Sequence, residues 1–193
     1  MAGERGARPS RCRKALQGVA MNPMRLRAEP LAKPFHVVLV EPEIPPNTGN
    51  IARLCAATQS VLHLVGRLGF RIDEHAVRRA GLDYWHLVRV EQHADFEQFL
   101  DAFARESGGG LHFFCARAAT SYLDANFAPG DALVFGKESV GLDPELLARF
   151  PDRQRAIPTL GAVRSLNLAN SASIVIYEAL RHVGALDGAA LAP

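Results

Sequence analysis

Amide and hydroxyl side chains crowd residues 165–170, directly before an apolar run that continues to Tyr177. Asn and Ser favour the first turn of a helix because their side chains accept hydrogen bonds from its free N–H groups. One such residue is enough to cap a helix. A cluster of this size therefore predicts a polar pocket at a helix N-terminus, where a ligand can be held.

Two further polar segments share this character, at residues 47–53 and 136–142. In the first segment, two prolines stiffen the loop that delivers Asn47 to a predicted helix start. On that helix Asn50 and Arg53 lie three positions apart and share a face. A guanidinium beside an amide can hold a phosphate and a sugar hydroxyl together. A surface ion pair is the alternative interpretation for Arg53.

The segment at residues 136–139 resembles a phosphate-binding loop only superficially. That loop requires glycine where Asp131 stands and serine or threonine where Glu138 stands. A nucleophile elbow would require glycine in place of Lys137. No Gly-x-Gly-x-x-Gly pattern follows the first predicted strand, which disfavours a dinucleotide site.

The composition is typical of one soluble globular domain, with 193 residues, 48% hydrophobic and 22% charged. No apolar run reaches the roughly 18 residues that a bilayer span requires. Three widely spaced cysteines form no disulfide framework, which favours a reducing, cytoplasmic location. The seven histidines lack metal-ligand spacing, so no metal is expected. Structural pairing is favoured for the histidines within predicted strands, namely His36, His63 and His112.

Positive charge concentrates at the N-terminus. Residues 1–34 hold eight basic and two acidic residues, so the remainder is net negative. This segment lacks apolar periodicity and is predicted to be a disordered extension. It is interpreted as an RNA-contacting arm, a transit-like presequence or, preferably, sequence upstream of the true start. The globular domain is placed at residues 35–184, followed by a loose tail at 185–193.

Predicted strands and helices alternate along that domain. Strands are expected at residues 35–40, 61–65, 87–90, 111–115, 132–135 and 155–157. Helices are expected at residues 47–59, 73–80, 95–106, from Pro144, and at 167–183. Continuous apolar strands alternating with helices predict a single-domain α/β fold, a parallel sheet with helices on both faces.

The last predicted helix is apolar on more than one face, with apolar residues at 174–177, 180 and 183. A helix buried on two sides packs against the sheet and against something else. A second copy of the chain is the simplest partner, which predicts a homodimer through this helix. A central helix of a monomer is the alternative.

The three polar segments together resemble the SPOUT class of methyltransferases, and within it the SpoU-type RNA ribose 2′-O-methyltransferases. The three motifs of that family match in order at residues 47–53, 136–142 and 165–178. Residues 41–47 and 79–84 resemble the small bacterial members that methylate the wobble nucleotide, a cytidine or modified uridine at position 34, of leucine tRNAs. The chain departs from the family pattern at Gln59, Lys137 and Ala169.

This resemblance implies a C-terminal trefoil knot, S-adenosylmethionine as methyl donor, a homodimer and a tRNA anticodon stem-loop as partner. The residues implied for donor binding are Phe114, Gly136, Ile157, Ser165 and Leu166. The residues implied for catalysis are Arg53, Asn50, Glu138 and Asn167. Because arginine stays protonated, Arg53 is expected to hold a phosphate and orient the hydroxyl. Glu138 is expected to accept hydrogen bonds from Arg53 or Asn167.

An RNA-contacting patch is also expected, formed by Arg71, Arg78, Arg79, Arg89, Lys137 and Arg153. A non-catalytic RNA-binding or ribosome-assembly module on the same scaffold is the alternative function. The intact catalytic residues argue against it. A different doubly wound nucleotide enzyme is disfavoured because the phosphate-binding motifs fail.

Overall fold

The computed structural model describes residues 24–70 and 85–192. Its strands are β1 (Arg25–Arg27), β2 (His36–Val40), β3 (Val61–Val65), β4 (Val90–His93), β5 (Leu111–Phe114), β6 (Ala132–Phe135), β7 (Gln154–Arg155) and β8 (Ala190–Ala192). Its helices are α1 (Pro45–Thr58), α2 (Phe96–Glu106), α3 (Pro144–Ala148) and α4 (Leu168–His182). Short 3₁₀ turns lie at Trp85–Leu87, Tyr122–Asp124 and Pro151–Arg153.

Six strands form one sheet in the order β4-β3-β2-β6-β5-β7, and every pairing in it is parallel. The chain builds outward from β2 through β3 to β4, then crosses to the other side of β2 to form β5, and β6 is inserted between β2 and β5. Residues of β2, β3 and β6 are almost all buried, as continuous apolar runs predict. The predicted parallel α/β architecture is confirmed. The knot implied by the resemblance stays a prediction.

Helices cover both faces of the sheet because successive strand residues point to opposite sides. Val37 and Leu39 of β2 pack in a core with α1 and α4, whereas Val38 packs in a second core with α2 and α3. Asp95 begins α2 by accepting a hydrogen bond from Gln98 N at 2.8 Å. Asp143 begins α3 in the same way, with Pro144 in its first turn.

The element boundaries differ from the predictions in a few places. Helix α1 begins at Pro45 because the two prolines occupy its first turn. The strand predicted at 87–90 is found at Val90–His93, and Leu87 lies in the preceding turn. The strand predicted at 155–157 is found at Gln154–Arg155. The helix predicted at 73–80 lies outside the described residues.

A two-stranded antiparallel ribbon joins the chain ends, with Leu26 of β1 opposite Leu191 of β8. The sequence predicts disorder around β1 and a loose tail around β8, and the structure differs there. Both leucines are exposed, so backbone pairing forms this ribbon and apolar burial does not. That kind of pairing leaves no periodic pattern in the sequence. Residues 1–23 of the extension lie outside the described residues.

Among the helices described, none is both long and apolar enough to cross a bilayer.

Candidate active site

The three polar segments meet at the carboxyl edge of the parallel sheet. One segment follows β2 and opens α1, the second follows β6, and the third opens α4. In open α/β sheets, ligands bind at this edge, outside the carboxyl ends of the strands. The topology therefore brings the segments together although they are far apart in sequence.

Asn47 lies at the centre of this meeting point. Its Oδ1 accepts a hydrogen bond from Nδ2 of Asn167 at 3.0 Å, and its own Nδ2 donates to Oε1 of Glu138 at 2.9 Å. The side chain is buried, with 7% of the residue exposed. Both ends of one amide are thereby used to join the three segments. The sequence places Asn47 at a helix start and gives its side chain no role.

The carboxylate of Glu138 binds the loop that leads into α1. It accepts hydrogen bonds from the backbone N–H of Glu43 at 2.9 Å and of Ile44 at 3.3 Å, in addition to Asn47. Ile44 is the N-cap of α1 and has no side-chain cap. A negative charge at this position also interacts favourably with the helix dipole. The sequence predicts that Glu138 accepts from Arg53 or Asn167; Nδ2 of Asn167 donates to Asn47 instead.

The residues on either side of Glu138 bind the same loop. Ser139 donates from its backbone N–H and its hydroxyl to the carboxylate of Glu43, each at 3.0 Å. Nζ of Lys137 donates to Oε2 of Glu41 at 2.8 Å, and this hydrogen bond raises the pKa of Lys137. The ammonium expected to contact RNA phosphate is thus paired with a carboxylate.

Asn167 has two functions in the structure. Its Oδ1 accepts from the backbone N–H of Ala169 at 2.9 Å and of Asn170 at 3.3 Å, which caps α4. Its Nδ2 makes the bond to Asn47. Ala169, one of the positions expected to depart from the family pattern, is buried. The hydroxyl of Ser173, one turn further along α4, donates to the carbonyl of Ala169 at 2.8 Å.

Three of the five residues expected to bind the donor lie at or just after the ends of three adjacent strands. Phe114 ends β5 and stacks on Phe135 of β6, with ring centroids 4.9 Å apart. Gly136 follows β6 directly, and Ile157 packs against the core that contains Phe114 and Phe135. Ser165 is exposed and Leu166 is half-buried in the segment before α4.

The fold of the loop after β6 requires glycine at position 136. A Cβ atom at this position would lie 2.2 Å from the backbone carbon of Gly141 and 2.2 Å from the backbone nitrogen of Leu142. The loop folds back on itself, with Gly141 N donating to Lys137 O at 2.9 Å. The backbone of Gly141 and Leu142 therefore occupies the space that a side chain at position 136 would need.

Asn50 and Arg53 are exposed on α1, after Asn47. They stand beside the cluster, and the hydrogen bonds centred on Asn47 do not include Asn50 within the described residues. Of the expected RNA patch, Arg71, Arg78 and Arg79 lie outside the described residues. Arg153 is exposed.

Arg89 does not fit the expected RNA patch. Its guanidinium binds the carboxylates of Glu91 and Glu106, which raise its pKa, Glu106 being the larger influence. These two carboxylates neutralise the positive charge of Arg89, with which an RNA phosphate would otherwise interact. The sequence could not show this pairing because Glu106 lies on a different element.

Residues 34–177 match the SpoU rRNA Methylase family, so the chain belongs to this family of methyltransferases. A tRNA (cytidine(34)-2′-O)-methyltransferase of Burkholderia pseudomallei strain 1106a is 46% identical over 156 residues, covering 80% of this chain and 99% of the relative.

Solved structures agree with that membership. A structure described as giving insights into the 2-OH methylation of C/U34 on tRNA aligns with a TM-score of 0.72 at 46% identity, covering 78% of this chain and 96% of the other. The SpoU methyltransferase AviRb from Streptomyces viridochromogenes, in complex with the cofactor AdoMet, aligns with a TM-score of 0.66 at 26% identity. That alignment covers 79% of this chain and 59% of AviRb.

Proposed function

We propose that this protein transfers a methyl group from S-adenosylmethionine to the ribose 2′-hydroxyl of nucleotide 34 in tRNA. Leucine tRNAs with cytidine or a modified uridine at that position are the proposed substrates, methylated in the cytoplasm. The observation that supports this most strongly is the Asn167–Asn47–Glu138 chain of hydrogen bonds, because it joins all three family motifs into one site. The name of the Burkholderia relative supports the choice of nucleotide.

The donor site is proposed at the ends of β5, β6 and β7. Main-chain groups at Phe114, Gly136 and Ile157 would bind adenine and ribose, and Ser165 and Leu166 would close the site. The residues fit such a ligand because the adjoining segment exposes apolar side chains to solvent. Val163, for example, is 61% exposed. The bound donor supplies a methyl group already activated on a sulfonium, so the protein mainly positions the reactants.

The acceptor ribose is proposed to lie against α1. Arg53 would hold the phosphate and orient the 2′-hydroxyl, and Asn50 and Asn167 would position the ribose. The hydroxyl proton leaves to solvent, because a guanidinium is already protonated and cannot accept it. Glu138 acts through Asn47, whose rotamer it fixes, and is in that sense a positioning residue.

The homodimer is proposed to form through α4. Val175 and Ile176 of this helix are buried in the core of the same chain, whereas Ile174 and Tyr177 are 36% and 49% exposed. These two side chains lie three positions apart, so they share a face. A second copy of the chain is proposed to pack on the exposed face of α4 that carries Ile174 and Tyr177.

The experiment that tests this function uses full-length protein, labelled S-adenosylmethionine and total bacterial tRNA. Digestion and mass spectrometry then locate the label. Label on the ribose of nucleotide 34 in leucine tRNAs is expected. Label on a base would contradict the reaction class, and absence of transfer by folded protein would favour the RNA-binding module.

Arg53→Ala is the variant that tests the division of labour within the site. Methyl transfer is expected to be lost, because the acceptor is no longer oriented. Donor affinity, measured by calorimetry, is expected to stay close to that of the unmodified protein. An equal loss of donor affinity would contradict the proposed role of Arg53.

A further inference from the structure

Three histidines form a hydrogen-bonded ladder on the face of the sheet covered by α2. Nδ1 of His36 lies 2.8 Å from Nε2 of His63, and Nδ1 of His63 lies 3.0 Å from Nε2 of His93. All three side chains are buried, and Phe99 contacts two of the rings edge-on. The proposed methyl transfer uses none of these residues.

Glu91 brings a carboxylate to the same place. The register of β3 and β4 puts it opposite His63, and its position two residues before His93 puts both on one face of β4. Its Oε2 lies 3.6 Å from Nδ1 of His63 and 3.9 Å from Nε2 of His93. Two imidazole nitrogens and one carboxylate oxygen therefore form a closed triangle.

The size of this triangle matches a metal ion. With sides of 3.0, 3.6 and 3.9 Å, a point equidistant from the three atoms lies about 2 Å from each, the length of Zn–N and Zn–O bonds. We propose that His63, Glu91 and His93 bind a Zn²⁺ ion through these three atoms. Two imidazoles and one carboxylate are a donor set that zinc accepts, with a fourth position left for water.

Neighbouring groups already hold two of the ligands. Nε2 of His63 faces His36, which fixes its ring and leaves Nδ1 for the metal. Oε1 of Glu91 binds Arg89, which leaves Oε2 directed at the histidines. The positive charge of Arg89 is offset by Glu106, which binds it through both carboxylate oxygens.

A ring nitrogen that binds zinc must carry no proton. Zinc would replace the hydrogen bond between His63 and His93. The proton of that hydrogen bond would move to the other nitrogen of the same imidazole.

The place of the site suggests what the ion does. Strand β4 is the outermost strand on its side of the described sheet, and a quarter of the Glu91 side chain is exposed, so an ion can reach the triangle from the edge. Bound there, zinc would tie β4 to β3. Its effect is therefore expected on stability, independently of the donor and RNA sites.

The test is a titration of full-length, chelator-treated protein with Zn²⁺ alone, followed by calorimetry and by metal analysis. One zinc per chain is expected, with a higher melting temperature when zinc is present. Glu91→Gln keeps the size and the Arg89 contact but loses the anionic ligand, and is expected to weaken binding at least about tenfold. Its partly exposed position keeps this variant folded.

Glu106→Gln is the matched control, because Glu106 binds Arg89 and is not a proposed ligand. Its zinc affinity is expected to stay within about twofold of the unmodified protein. Co²⁺ should give the visible absorption of a tetrahedral site in the unmodified protein and in Glu106→Gln but not in Glu91→Gln. Absence of one-to-one binding, or equal affinity in Glu91→Gln, would overturn the proposal.

Discussion

Asn167 and Asn47, which lie 120 positions apart in the sequence, share a hydrogen bond of 3.0 Å that ties the start of α4 to the start of α1. The other end of the Asn47 amide holds Glu138, so one buried side chain sets the relative position of three loops. A neutral amide suits this role because it donates and accepts at once. Arg53 and Asn50 project from the helix that it anchors.

Asn47→Ala is expected to leave a folded protein that methylates poorly. Loss of a buried partner costs about 1–3 kcal/mol of unfolding free energy. The small displacement of α1 that follows is expected to lower methyl transfer about 100-fold, as such displacements do in other enzymes. Urea unfolding and the initial rate of transfer to tRNA measure the two effects.

Asn126→Ala is the control for that variant. Asn126 is exposed and lies outside the three polar segments. Both its stability and its transfer rate are expected to match those of the unmodified protein. A wild-type transfer rate in Asn47→Ala would refute the role given to this amide.

Gly136→Ala is expected to distort the loop at residues 136–142. The added Cβ would overlap the backbone of Gly141 and Leu142, and overpacking of this kind costs about 1–3 kcal/mol. Gly161→Ala is a matched control, because no atom lies within 4 Å of a Cβ there. The melting temperature and the donor affinity should fall in Gly136→Ala and stay unchanged in Gly161→Ala. Equal behaviour of the two would contradict the steric argument.

Asp131 gives the protein an acid-sensitive contact. Burial alone would raise the pKa of this carboxyl, but hydrogen bonds from His112 at 2.9 Å, Ala128 N at 2.8 Å and Gly110 N at 2.6 Å outweigh it and lower the pKa. The carboxylate of Asp131 therefore binds a proton more readily in the unfolded chain than in the folded protein. The stability that Asp131 contributes is present above about pH 4 and is lost as the pH falls through the lowered value.

Asp131→Asn is thus expected to lose about 1–3 kcal/mol of unfolding free energy at pH 7. The difference from the unmodified protein should shrink as the pH approaches 3. Denaturant unfolding at a series of pH values measures it, with Asp101→Asn, an exposed residue of α2, as control. If the difference in unfolding free energy between Asp131→Asn and the unmodified protein stayed constant with pH, the negative charge assigned to Asp131 would be contradicted.

Tyr177→Glu is expected to produce monomers, because a charge would replace an aromatic side chain on the proposed dimer face. Leu87→Glu, another exposed apolar residue, is the control and should stay dimeric. Light scattering after gel filtration gives the mass of each variant. Persistent dimers of Tyr177→Glu would move the interface away from this face of α4.

Some features of the fold follow directly from local sequence. The strands at residues 61–65 and 132–135 are continuous apolar runs and were predicted to the residue. His36 and His112 have the structural partners expected of them, since His36 bonds His63 and His112 bonds Asp131. His63 also has such a partner, but the zinc site proposed above departs from the expectation that no histidine binds a metal. Local pattern suffices where burial or a single partner determines the structure.

Other features depend on residues that are distant in sequence. The role of Asn47 arises from partners 91 and 120 positions away, which no local pattern contains. The strand at Val90–His93 carries three polar residues and lacks an apolar run, so neither its position nor the contact of His93 with His63 was foreseen. The ribbon between β1 and β8 rests on backbone pairing, which side-chain types do not reveal.

The most direct test of the proposed activity compares two anticodon stem-loops of a leucine tRNA that differ by one atom. One carries ribose at nucleotide 34 and the other carries 2′-deoxyribose there. With labelled S-adenosylmethionine, the protein is expected to methylate the first RNA and to transfer nothing to the second. Equal methylation of the two RNAs would contradict the account, because the acceptor would then lie elsewhere.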